Sequence, residues 1–166
     1  MKYYLLVIFV VIFDQISKIS IKQYWNTNEI SSTINIIGDF LRFYFIENPG
    51  IAFGLNPFNS MWLTIITCSI IIFLLVHFVQ LIKTNSSDSL AIAFVLGGAI
   101  GNAIDRMLAL FPSKTNYGGV VDFIDIGFGS FRWYIFNVAD MSITIGLILI
   151  IYQGFFVKKI EKQDNI

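Results

Sequence analysis

Four windows of this sequence hold about 20 consecutive, mostly apolar residues, which is the length an α-helix needs to cross roughly 30 Å of hydrocarbon. They run from about 3 to 24, 61 to 82, 90 to 110 and 136 to 157 in a chain of 166 residues. A chain so built cannot bury all its apolar surface around one soluble core. Its composition agrees, with 56% hydrophobic and 13% charged residues against roughly 45–50% and 25% in soluble domains. The expected fold is membrane all-α, a single membrane domain over 1–166 with four transmembrane helices.

The first span has Tyr3 and Tyr4 at one end and Tyr24 and Trp25 at the other, so about 21 steps of about 1.5 Å put roughly 31 Å between two aromatic belts. A cleaved signal peptide also begins with a cation such as Lys2 and an apolar run. Here no small-x-small cleavage site follows, and Asp14 and Lys18 interrupt the stretch, so the segment is expected to stay as a span. The second window carries Thr64, Thr67 and Ser69, and the third carries Gly97, Gly98 and Gly101, a small-xxx-small pattern that lets a neighbouring helix approach closely.

Eleven Lys plus Arg and eleven Asp plus Glu cancel, leaving no polybasic face for nucleic acid. The single cysteine, Cys68, and the single histidine, His77, both lie in apolar runs. They offer no disulfide framework, no Cys/His metal cluster and no Cys-His nucleophile. Cys68 reads as a core thiol and His77 as packing or a hydrogen bond inside the bundle.

Four spans put the two long polar segments, about 26–60 and 111–135, on one side and a short link at 83–89 on the other. Lys2, Lys83, Lys158, Lys159 and Lys162 fall on the side of the termini, against Arg42, Lys114 and Arg132 opposite and Lys22 near the far end of the first span. That bias places both termini in the cytoplasm. Alternation within 34–46, where Leu41, Phe43 and Phe45 interleave with Arg42, Tyr44 and Ile46, reads as a strand, as does 120–126. A small β-element at the outer membrane surface is expected.

Ionisable groups inside a bilayer cost at least about 2.5–3.5 kcal/mol at a helix centre and usually mark a pathway or a site. Asp14 and Lys18, Asp105 and Arg106, and Asp140 all fall in the middle or outer part of their spans, and the outer segments add Glu47, Asn48, Asp122 and Asp125. The topology thus gathers them in one layer. Asp14 and Lys18 stand four apart with the acid first, the order of a helical ion pair. Asp122 on a strand and Asp140 in the first turn of a helix form the sharpest pair, with Asp122 and Asp125 the competing one. Two carboxyls that meet split their titration, so that one keeps a proton while the other is ionised. Asn102 and Asn137 each precede an Asp by three residues, which on a helix is the same face.

On 13-FDQISK-18, 47-ENPGIAFG-54, 101-GNAIDR-106, 120-VVDFID-125 and 136-FNVAD-140, the chain resembles the lipoprotein signal peptidases, the signal peptidase II family of membrane aspartyl proteases, over nearly its whole length. The resemblance implies four spans, an outer β-cradle after the first, a short outer helix or lid before the fourth, and residence in the bacterial cytoplasmic membrane with the active site near the extracytoplasmic face. It implies cleavage of diacylglyceryl-modified prolipoproteins on the amino side of the lipidated cysteine, without metal or other cofactor. Asp122 and Asp140 match the catalytic pair. Asn48, Asn102, Arg106 and Asn137 match substrate-binding positions, and Asp14, Lys18, Asp105 and Gly101 match structural support. A monomer in contact with membrane lipid is expected. The stretch 107–119 looks longer than the family usually has, which bears on lid geometry. Two other classes use the same charges: a transporter needs acids through the full membrane depth, and a scaffold needs them only to pair helices.

Overall fold

The computed structural model describes residues 1–28, 33–50, 60–84 and 86–157. The part of the second motif from 51 to 54, and Lys158, Lys159 and Lys162, lie outside them. Among the described residues, four helices are long and apolar enough to cross a membrane. They are α1 (Lys2–Asn28), α2 (Ser60–Lys83), α3 (Ser89–Ala109) and α5 (Val138–Tyr152), the last running on into a π-helical turn at Gln153–Val157. Between α3 and α5 lie the one-turn α4 (Pro112–Thr115), β3 (Val120–Phe128) and β4 (Phe131–Arg132), while β1 (Ile34–Ile37) and β2 (Leu41–Asn48) follow α1.

α3 is the hub of the bundle, packing against α1, α2 and α5. Its glycines explain why. A Cβ at Gly98 would sit 2.3 Å from the carbonyl oxygen of Ala139, and one at Gly101 would sit 2.6 Å from Asp14 Oδ2. The bare backbone therefore lets α5 and the Asp14 carboxylate come in at distances no side chain permits. At the other end of the bundle, Phe78, Ile92, Ala93 and Leu96 form a buried apolar cluster.

The strands make one antiparallel meander in the order β1-β2-β3-β4. The alternating stretch 34–46 is not one strand but a hairpin, because Gly38 turns the chain at φ +50° between β1 and β2. In the β2–β3 pair Asn48 faces Val120, Glu47 faces Val121 and Ile46 faces Asp122. Phe43 packs edge-on against Phe123 with centroids 5.6 Å apart, and Trp25 of α1 lies 6.3 Å from Phe45. The sheet is thereby fixed over the ends of α1 and α3 and the start of α5. The fourth helix starts at Val138, two residues later than its hydropathy suggests, because Phe136 bridges to Ile124 of the sheet and Asn137 caps the helix.

Gly98→Ala improves helix propensity yet drives a methyl into the Ala139 carbonyl. It should destabilise the protein by about 1–3 kcal/mol, read as a lower unfolding midpoint in detergent.

Candidate active site

Asp140 is the third residue of α5, and its position is set by a capping box. Asn137 Oδ1 accepts the Asp140 N–H at 3.0 Å, and Asp140 Oδ2 accepts the Asn137 N–H at 3.2 Å. The three-residue spacing that suggests a shared helical face is therefore a helix cap at this site. Asp140 Oδ1 accepts from Asn102 Nδ2 of α3 at 2.8 Å.

Asp122 arrives from β3. Its Oδ1 accepts from Asn137 Nδ2 at 2.6 Å and its Oδ2 from Asn48 Nδ2 at 3.1 Å. Three asparagines thus aim amide N–H groups at the two acids, and in each the carbonyl end is held elsewhere. Asn48 Oδ1 accepts from Gly50 N, Asn137 Oδ1 from Asp140 N, and Asn102 Oδ1 from both Lys18 and Asn137. None of the three amides can turn over without breaking such a bond.

Asp122, Asp140, Asn48, Asn102 and Arg106 line one cavity of about 60 Å³, closed by Val120, Tyr134 and Ile135. That is room for two or more waters with polar partners on several sides. An apolar groove of about 520 Å³ opens beside it along Phe40, Phe128, Phe131 and Trp133 and reaches Asp140, Met141 and Ile145. A second groove of about 620 Å³ reaches Asp122 and Asn48 from the side of Ile46, Arg132 and Ile135. The cavity therefore sits where two grooves meet.

Beneath it lies a buried charge cluster. Lys18 Nζ is 2.9 Å from Asp14 Oδ2 and 2.9 Å from Asp105 Oδ2, with all three side chains fully buried. Gln15 Nε2 adds bonds to Asp14, Asp105 and the Gly101 carbonyl at 3.2, 3.1 and 3.1 Å. Arg106 lines the cavity while donating to the Gly50 and Asn102 carbonyls at 3.2 and 3.5 Å. Asp125 takes no part: it ties Arg42 and Arg132 together on the sheet at 3.0 and 2.7 Å, which removes the Asp122 and Asp125 pairing. Gln15 is the residue that sequence reasoning passes over, although it lies inside the first motif.

The stretch between α3 and β3 is strapped to β2 and α1. Lys22 bonds Glu47 Oε1 at 2.6 Å and the Asn116 carbonyl, and lies 3.6 Å from the centre of the Tyr117 ring, while Glu47 Oε2 accepts from Gly118 N at 3.0 Å. His77 stacks on Phe73 with centroids 6.4 Å apart, far along α2 from the cavity.

Fold and site define a four-helix membrane protein with two carboxyls held by three asparagine amides in a small cavity at one end of the bundle. A family model described as signal peptidase (SPase) II matches residues 6–156, and the chain belongs to that family. It is 38% identical over 156 residues to a lipoprotein signal peptidase of Brevibacillus brevis, covering 93% of this chain and 95% of that protein. It is 39% identical over 147 residues to one of Staphylococcus aureus, covering 89% and 83%. Two solved structures described as bacterial membrane enzymes each superpose with a TM-score of 0.74, at 34% identity over 99% of this chain and 90% of that one, and at 37% over 93% of each.

Burial, then the nearby charge of Asp140, pushes the Asp122 carboxyl up to about 7, against the pull of the Asn48 and Asn137 hydrogen bonds and of Lys18. The folded protein keeps this proton up to about pH 7, whereas the unfolded chain releases it near 3.8. Between those values the folded state binds more protons, so this group's contribution to stability falls as pH rises through the window and is lowest above it. Asp122→Asn should flatten the decline and raise the unfolding midpoint at pH 8 by several degrees, as thermal unfolding of both proteins at pH 5 and pH 8 would show.

Proposed function

We propose that this chain is a membrane aspartyl endopeptidase that removes the signal peptide from diacylglyceryl-modified prolipoproteins, cutting on the amino side of the lipidated cysteine. The observation that carries the proposal is the pair of carboxyls, Asp122 buried and Asp140 half-buried, with unlike hydrogen-bond settings facing one small cavity with room for water. Family membership supports the substrate, since the relatives are lipoprotein signal peptidases. The apolar groove ending at Asp140 suits a substrate that brings acyl chains and an apolar helix with it.

In this mechanism a water held between the acids attacks the scissile carbonyl. Asp140, in the first turn of α5 where the helix N-terminus favours an ionised carboxylate, is the carboxylate that takes the water proton as the new C–O bond forms. Asp122, which holds its proton to about pH 7, keeps it while donating a hydrogen bond to the carbonyl oxygen as negative charge develops there. When the tetrahedral intermediate collapses, the C–N bond breaks and the departing amine of the cysteine takes a proton from the pair, so that one proton again remains between the two acids. Asn48, Asn102 and Asn137 orient the acids. Arg106, at the cavity wall, contacts substrate carbonyls, and Gly101 leaves the space that the Asp14 carboxylate fills.

The same reading sets the chain in the bacterial cytoplasmic membrane as a monomer, with both termini cytoplasmic and the sheet end of the bundle at the extracytoplasmic face. There a signal-peptide helix presents its cleavage point at the depth of the cavity.

Purified protein in detergent should cleave a lipid-modified prolipoprotein, leave the unmodified form uncut, and keep its activity in chelators. Asp122→Asn and Asp140→Asn should each lower the rate about 10³-fold or more while remaining folded. Wild-type cleavage by either variant would remove the pair from the mechanism.

A further inference from the structure

The Lys18 ammonium has three N–H donors and places them on Asp14 Oδ2, Asp105 Oδ2 and Asn102 Oδ1, each at 2.9 Å. A pair that existed only to neutralise charge would need one carboxylate. This cluster holds one positive and two negative groups, and its third donor goes to a neutral amide.

What those acceptors do next is specific. Asp14 Oδ1 accepts the Ala139 N–H at 2.9 Å, and Asp105 Oδ2 accepts the Val121 N–H at 3.2 Å. Ala139 immediately precedes Asp140, and Val121 immediately precedes Asp122. The peptide N–H just before each acid is therefore tied to one of the two carboxylates that Lys18 bridges. The third partner, Asn102, turns its Nδ2 to Asp140 because its oxygen is taken by Lys18 and by Asn137 at 3.1 Å.

We propose that Lys18 is a positioning residue for the reaction, setting the spacing of Asp122 and Asp140 through these two peptide tethers and fixing the Asn102 amide toward Asp140. This rests on Asp122 and Asp140 being the reacting pair. Lys18 touches neither acid and acts through Asp14, Asp105 and Asn102.

The charges facing the pair are Asp14 and Lys18 from α1 and Asp105 and Arg106 from α3, while β2 presents the uncharged Asn48. Of these, Lys18 draws Asp122 toward ionisation. Its loss should move the activity optimum to higher pH, since an acid deprived of a nearby cation keeps its proton longer.

Lys18→Met alone leaves two buried carboxylates without their cation. Lys18→Met/Asp105→Asn removes one charge of each sign and keeps the cluster at the same net charge as the wild type. In the folded double variant, kcat on a lipid-modified prolipoprotein should fall about 10- to 100-fold, because small misplacements of reacting groups cost that much. KM should stay within about threefold, and in Lys18→Met alone, where it folds, the pH optimum should rise by about half a unit or more. Wild-type kcat in the folded double variant would overturn the proposal, as would failure of both variants to fold, which would leave Lys18 a structural role only. If instead the wild-type protein does not cleave, or Asp122→Asn still does, the reading of the acid pair fails rather than this one.

Discussion

A bilayer offers no water to solvate an ammonium group, so Lys18, fully buried on a membrane-length helix, has to find all its partners within the protein. It uses every N–H it has. Removing one member of such a cluster leaves an uncompensated buried charge, typically at a cost of about 3–5 kcal/mol, even where the intact group adds little net stability. The bundle must therefore bring α1 and α3 together at one relative height, with Gly101 leaving room for Asp14 and Gly98 letting α5 close on the other side. From that contact the placement of Ala139 and Val121 follows, and with it the start of α5 and the inner edge of β3.

The sheet supplies what helices alone could not. Asp122 reaches the bundle because β3 pairs with β2 in a register that sets Ile46 opposite it and Asn48 two steps on. The strap of Lys22, Glu47 and 116–118 fixes the same end of β2, where a Cβ at Gly119 would meet the Asn48 carbonyl at 2.3 Å. Burial on both sides raises the cost of ionising Asp122 and strengthens each hydrogen bond aimed at the pair. One carboxyl on a strand and one at a helix N-terminus thus meet different fields while lining the same small cavity.

The four helices are legible in the sequence because hydropathy over 20 residues is a local property. So is the Asp14–Lys18 pair, which needs only helical spacing. The hairpin within 34–48 is less visible, since alternation continues up to a turn that Gly38 alone marks. The Asn137 cap is misread as a helical face because Asn-x-x-Asp has the same spacing in both settings, and only the end of the apolar pattern tells them apart. Asp125 and Asp122 look equivalent on one strand, yet their side chains meet different elements: Arg42 and Arg132 for one, Asn48 and Asn137 for the other. Partners 35 to 125 residues apart, such as Asn102 with Asn137 or Asp14 with Ala139, carry no local signal at all. The resemblance of the motifs singles out such positions, but the bonds among them come only from the fold.

At the centre of this account is one proton retained between Asp122 and Asp140 near neutral pH. Infrared difference spectra of wild type against Asp122→Asn, recorded from pH 4 to 9, measure it through the carbonyl stretch of a protonated carboxylic acid. The account predicts one such band in the wild type that persists to about pH 7, fades above it and is absent from the variant. A wild type with both carboxyls already ionised at pH 5 would contradict it.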